Sequence, residues 1–156
     1  MDIKTYLNVL NKKERSAILK LVDKKLTAIP DHAGRFFPGL QTYANLHHNK
    51  ELKPLIKKLK EYITGNFTVD KCWANYTDGG YVNWHTHKSD LSVVYYLKNK
   101  ESIGTIFCIN NKKIHLKGLQ NSLIIFKNEL HSVPLKKRGT SKINRYSLAF
   151  ELSLKT

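Results

Sequence analysis

The segment GGYVNWHTHKSDLSVVYYL, residues 79–97, is where the fold is written most openly. A glycine pair leads into a short stretch with two histidines one residue apart. Lys88-Ser89-Asp90 interrupts it, and an apolar run rich in valine and tyrosine follows. Short runs of β-branched and aromatic residues bounded by turn formers read as strands. Alternate side chains of a strand share a face, so His85 and His87 present two imidazoles in one direction. Imidazole suits Fe, Zn, Cu or Ni, and two ligands do not complete a site. By itself such a pair is more often a polar strand face than a metal centre.

Working outward, the β pattern runs from Phe67 to the end, with strands expected near 67–76, 81–86, 91–97, 103–109, 113–117, 121–127, 131–135 and 143–153. Turn-forming compositions at Asp78-Gly79-Gly80, Lys98-Asn99-Lys100, Asn110-Asn111 and Gly139-Thr140 separate several of them. Upstream the pattern is helical. Asn11 and Glu14 have capping-box spacing ahead of the stripe Ala17, Ile18, Leu21, Val22 and Leu26, and Ile29-Pro30 is the expected stop. Residues 30–48 read as an irregular connection. A second helix is expected over 50–63, with Pro54 in its first turn and Gly65 at its C-terminal cap. The expectation is one domain, 1–156, with a helical part at 1–66 and a β core at 67–156. The fold class is mainly β, an antiparallel sandwich or barrel with helices packed on one sheet.

A third metal ligand must come from elsewhere in the chain. His131 is the best placed, since it follows the apolar strand Ser122–Phe126 at the start of the next strand. His47 and His48 are sequential neighbours that cannot face one way in a strand, and His115, between Ile114 and Leu116, is expected in solvent. The tail, RYSLAFEL at 145–152, alternates strictly. Tyr146, Leu148, Phe150 and Leu152 take one face, suited to packing on helices. Arg145, Ser147, Ala149 and Glu151 take the other, where small residues beside the arginine leave room for an anion. Arginine is the side chain that grips a carboxylate with two parallel hydrogen bonds.

The bulk properties set bounds. A chain of 156 residues that is 41% hydrophobic is long enough to build one core without covalent staples. No apolar run is long enough to span a bilayer and the N-terminus lacks a signal-peptide core, so the expected location is cytoplasmic, in a cell or a virus-infected host, with no membrane partner. Cys72 and Cys108 are expected as free thiols. The net charge of +15 fits a polyanionic partner, but 23 of the 27 basic residues are lysine rather than the phosphate-chelating arginine, which equally fits a solvated surface.

From Trp73 to Leu152 the sequence resembles the iron(II)- and 2-oxoglutarate-dependent oxygenases with a double-stranded β-helix, or jelly-roll, core. Residues 79–97 look like that family's first metal motif and following strand, NSLIIFKNELHSVP at 121–134 like its distal-histidine strand, and RYSL at 145–148 like its cosubstrate strand. The chain is similar to short phage-type oxygenases that carry H-x-H ahead of a Ser-rich strand and Y-Y-L, and more distantly to prolyl hydroxylases. The resemblance implies Fe(II) held by His85, His87 and His131, 2-oxoglutarate gripped by Arg145, and O2 as oxidant. It further implies that Tyr96 assists at the far carboxylate of 2-oxoglutarate, with Tyr76 as a second pocket residue. The pattern departs from the family in one place, because the usual motif is H-x-D and His87 stands at the carboxylate position. A three-histidine site, a site using Asp90 as the carboxylate, and a weakened site all remain open; the parity of His85 and His87 favours the first. Three neutral ligands are expected to weaken Fe(II) binding and increase its dependence on bound 2-oxoglutarate.

The implied activity is hydroxylation, prolyl-type on a peptide or protein. The basic stretch Lys136-Lys137-Arg138 is a candidate attractor for an acidic peptide or a nucleic acid. Two other classes compete. A cupin shares the glycine before H-x-H, but Leu91 and Ser92 stand where its glutamate is expected. A basic nucleic-acid-binding or nucleic-acid-modifying protein would bind with strong salt dependence; pure binding would be indifferent to Arg145→Ala.

Overall fold

The computed structural model describes residues 2–28, 39–77, 82–133 and 144–156. The expected stop at Ile29-Pro30, residues 30–38 of the connection at 30–48, the turns at 78–80 and 139–140, Tyr81 and the basic stretch 136–138 lie outside the described residues. In chain order the elements are β1 (Lys4–Tyr6), α1 (Lys12–Lys25), β2 (Leu40–Gln41), two single 3-10 turns (Leu46–His48 and Lys50–Leu52), α2 (Lys53–Tyr62), β3 (Phe67–Thr77), β4 (Val82–His85), β5 (Leu91–Lys98), β6 (Thr105–Ile109), β7 (Lys112–Leu116), β8 (Ser122–Phe126), β9 (Leu130–Val133) and β10 (Arg145–Leu154).

The capping box forms as its spacing requires: Asn11 Oδ1 accepts from the Glu14 N–H at 2.8 Å and Glu14 Oε1 from the Asn11 N–H at 3.0 Å. The second helix begins later than its apolar stripe. Residues 50–52 wind as a 3-10 turn, and α geometry starts at Lys53, where Pro54 occupies a first-turn position that needs no N–H donor. β1 and β2 are too short, at three and two residues, to leave a periodic signature. β1 pairs with β8 and β2 with β3, so each forms an edge of the larger sheet.

Two antiparallel sheets result, one ordered β1-β8-β5-β10-β3-β2 and the other β4-β9-β6-β7. The helices lie on one face of the larger sheet, where Ile18, Val22, Leu55 and Leu59 pack with Tyr95, Leu148, Phe150 and Leu152. Full burial of each such leucine stabilises by roughly 1.5–3 kcal/mol. A second, smaller core of Tyr96, Phe107, Ile124 and Phe126 fills the space between the sheets. β10, central in the larger sheet, therefore sends Leu148, Phe150 and Leu152 to the helices and its other parity toward the smaller sheet. Cys72 is buried and Cys108 partly so, both free thiols.

The N-terminal segment is clamped by Asn121, whose backbone adopts a left-handed φ of 62°. Its Oδ1 accepts from the Leu10 N–H at 3.0 Å and the Tyr95 hydroxyl at 2.8 Å, while its Nδ2 donates to the Leu10 carbonyl at 2.8 Å. Replacing it with alanine leaves three buried polar groups without partners. N121A is expected to destabilise the fold by roughly 3 kcal/mol or more, read as a lowered urea midpoint at unchanged m value.

Candidate metal centre

β4 and β9 are antiparallel neighbours, and their register sets His85 directly across from His131. β4 ends at His85, so His87 lies beyond the strand from which its orientation was read. It still reaches the cluster. Ring centroids are 4.2 Å apart for His85 and His131, 5.0 Å for His85 and His87, and 5.1 Å for His87 and His131. One nitrogen from each ring falls within 4.8 Å of the others, and this is the group of potential metal ligands found among the described residues.

Each ring is held from behind. His85 Nδ1 lies 2.7 Å from the Asn83 carbonyl, His131 Nδ1 2.7 Å from the Glu129 carbonyl, and His87 Nδ1 2.9 Å from Glu151 Oε1. All three acceptors lack a proton to give, so Nδ1 donates in each neutral imidazole and Nε2 is the nitrogen with the donor lone pair. Phe126 and Phe107 pack against the His131 ring at 4.9 and 6.0 Å, and Trp73 against His87 at 5.7 Å. His131 is only 5% exposed.

The histidines line a cavity of about 440 Å³ between the sheets, and β10 supplies its opposite wall with Arg145, Ser147, Ala149 and Glu151. Arg145 is 3% exposed. Its Nε donates to the Ile103 carbonyl at 3.1 Å, Nη1 to Ser147 Oγ at 3.3 Å, and the guanidinium lies over the Tyr96 ring at 5.4 Å. Among the described residues no carboxylate pairs with it. Burying a cation is costly unless an opposite charge meets it, so the Arg145 guanidinium is suited to receive an anion. Burial draws the Arg145 pKa down from its ordinary value, opposed by Tyr96.

Tyr96 is fully buried behind this wall, its hydroxyl 2.7 Å from Thr105 Oγ1. Burial raises its pKa, opposed by the charge of Arg145. Gly104 precedes Thr105 at a point with no room for a side chain, since a Cβ there would stand 1.7 Å from the Leu116 carbonyl oxygen.

Two expected site residues lie elsewhere. Tyr76 pairs across strands with Tyr146, their rings 4.8 Å apart, which puts it on the helix side of the larger sheet; its neighbour Asn75 lines the cavity instead. Strand parity makes the two positions mutually exclusive. Asp90 is exposed and caps the end of β10, accepting from the Leu154 N–H at 2.7 Å, and stands apart from the imidazoles. His115 is exposed, and the rings of His47 and His48 contact each other at a tilt, outside the ligand group.

Three cavity residues had no motif to announce them. Gln41 Nε2 donates to Asn75 Oδ1 at 2.7 Å, forming a polar wall between β2 and β3. Glu151 shared a face with Arg145 in the tail alternation, but nothing in the sequence tied it to His87. The hydrogen bond from His87 draws its carboxyl pKa below the ordinary value, opposed by burial and helped by the Lys71 charge.

No protein-family model matches the sequence, and no curated protein sequence matches it. Solved structures match it by fold. A prolyl hydroxylase from Trichoplax adhaerens, in complex with a hypoxia inducible factor oxygen degradation domain peptide fragment, is 14% identical with a TM-score of 0.70, covering 97% of this chain and 83% of that one. A prolyl-4-hydroxylase from Pseudomonas putida is 10% identical with a TM-score of 0.68, covering 96% and 91%. HygX from Streptomyces hygroscopicus, with nickel, 2-oxoglutarate and hygromycin B bound, is 9% identical with a TM-score of 0.70, covering 98% and 83%. The chain has the double-stranded β-helix fold of the Fe(II)- and 2-oxoglutarate-dependent oxygenases. Its three-histidine cluster has the donor chemistry to hold iron.

Proposed function

We propose that the protein is an Fe(II)- and 2-oxoglutarate-dependent oxygenase of one domain, in which His85, His87 and His131 hold the metal through Nε2 and Arg145 binds the far carboxylate of 2-oxoglutarate. The observation that carries this reading is the pairing, in one cavity, of three imidazoles with locked tautomers and a buried guanidinium lacking a carboxylate partner among the described residues. Bound iron and 2-oxoglutarate would supply the oxidising chemistry, coupling cosubstrate decarboxylation to oxygen insertion.

The chain contributes placement. Arg145 is held by Ile103 and Ser147 before any anion arrives, so its fork is preorganised. Tyr96 backs the guanidinium and Thr105 borders the anion end. Phe107, Phe126 and Trp73 pack around the imidazoles and limit water there.

For the substrate, hydroxylation of a peptide or protein side chain, prolyl-type, is supported by the resemblance in sequence and by two fold neighbours that are prolyl hydroxylases. The second reading, action on a nucleic acid, is supported by the +15 charge. Salt separates them: phosphate recognition predicts an apparent KM that climbs steeply between low and physiological ionic strength, and a neutral peptide predicts little change. No helix among the described residues is long and apolar enough to cross a membrane.

The direct test is anaerobic titration with Fe(II) and then 2-oxoglutarate, followed by admission of O2 and measurement of succinate. A weak visible charge-transfer band on adding 2-oxoglutarate, and succinate after O2, are the expected results. Metal binding without either would leave a metalloprotein of another class.

A further inference from the structure

The ligand set has an electrostatic gap. Among the described residues no aspartate or glutamate joins the three imidazoles, which themselves bring a divalent cation no formal negative charge. A carboxylate nonetheless enters through one of them. His85 and His131 donate their Nδ1 protons to backbone carbonyls, whereas His87 donates to Glu151, which is 13% exposed.

Building on the proposed metal site, we infer that Glu151 is a positioning residue that supplies, through His87, the negative charge that the ligand set lacks. The route is a hydrogen bond and not direct coordination. A carboxylate accepting from Nδ1 makes Nε2 a stronger donor, fixes the tautomer and sets the ring plane. Glu151 is itself held in register: Lys71 stands directly across from it on β3 and engages its other oxygen at 3.4 Å. That division of labour leaves Oε1 for His87. The ladder shifts register between Glu151 and Leu152, so the last cavity-facing residue of β10 stands at an irregularity, a common means of re-aiming a side chain. The carboxylate that an H-x-D motif would place on the metal is thus moved one residue type outward, from position 87 to its hydrogen-bond partner. The full penalty expected for three neutral ligands is thereby reduced.

The arrangement is tested with Co(II) alone as the probe, following its visible absorption and dissociation constant in four proteins: wild type, E151Q, H87D and the double variant. E151Q keeps the shape and an acceptor oxygen but loses the charge, and is expected to weaken Co(II) binding about 10–100-fold in the wild-type background. In the H87D background the sign reverses. The aspartate introduced at 87 has no proton to give Glu151, and two adjacent carboxylates repel, so removing the charge at 151 leaves binding unchanged or tighter. Loss in both backgrounds would mean that Glu151 is a direct ligand or a general structural support, and overturns the inference. So would an E151Q protein that binds Co(II) as tightly as wild type. If the wild type binds no Co(II) at all, the metal assignment itself fails and this inference with it, a result distinct from a Glu151-independent site.

Discussion

Arg145→Ala is expected to weaken 2-oxoglutarate binding by roughly 30-fold or more while leaving the metal site filled. The guanidinium is buried with no carboxylate partner among the described residues, so an incoming carboxylate meets a charge whose desolvation the fold has already absorbed. Truncating one partner of such a pair typically costs about 2–5 kcal/mol, which is roughly a 30- to several-thousand-fold loss of affinity. Calorimetry with 2-oxoglutarate on the metal-loaded protein measures it. Linkage supplies a second measurement: 2-oxoglutarate at about 100 times its dissociation constant stabilises the wild type by roughly 2.7 kcal/mol, and R145A should lose that increment. Arg145→Lys separates charge from shape. Lysine keeps the cation but loses the fork and the Nε bond to Ile103, so an intermediate affinity is expected. If R145A retains the wild-type affinity for 2-oxoglutarate, the cosubstrate assignment is wrong.

His131→Ala should eliminate stable metal binding. Losing an outer hydrogen-bond partner of a ligand costs about 10–100-fold in affinity, and losing a ligand outright must exceed that. His131 also has a packing role between Phe107 and Phe126, so alanine leaves a void there and the metal-free protein is expected to lose roughly 1–2 kcal/mol in urea denaturation. His131→Gln guards against a folding artefact by keeping most of the volume without the imidazole. Both variants are expected to show no Fe(II) heat anaerobically and no charge-transfer band with 2-oxoglutarate. A band of wild-type intensity in His131→Gln would place the metal elsewhere.

How much of this was legible in the sequence depends on the range of the interaction. The alternation of 145–152 needed no partner to be read, and its two faces meet the helices and the cavity as the parity requires. His85 and His87 were legible from their spacing, although His87 escapes the strand that justified it and is held by Glu151 instead. Tyr76 shows the limit of resemblance, because one residue of parity separates a cavity wall from a helix-facing ring pair. β1 and β2 left no signature, since two or three residues contain no period.

The sequence by itself determined the properties that repeat along the chain: the switch from helical to alternating patterning, the two faces of β10, and the candidates His85, His87, His131 and Arg145. Only the tertiary structure decided which residues stand behind those groups. The Glu151 partner of His87, the Ile103 carbonyl on Arg145 and the Leu154 partner of Asp90 are pairings over long sequence separations, whereas the acceptors behind His85 and His131 lie two residues away in the chain. A local pattern records which way a side chain points, because the backbone alone sets that; what it meets there depends on strand register and sheet packing, which many distant residues set together.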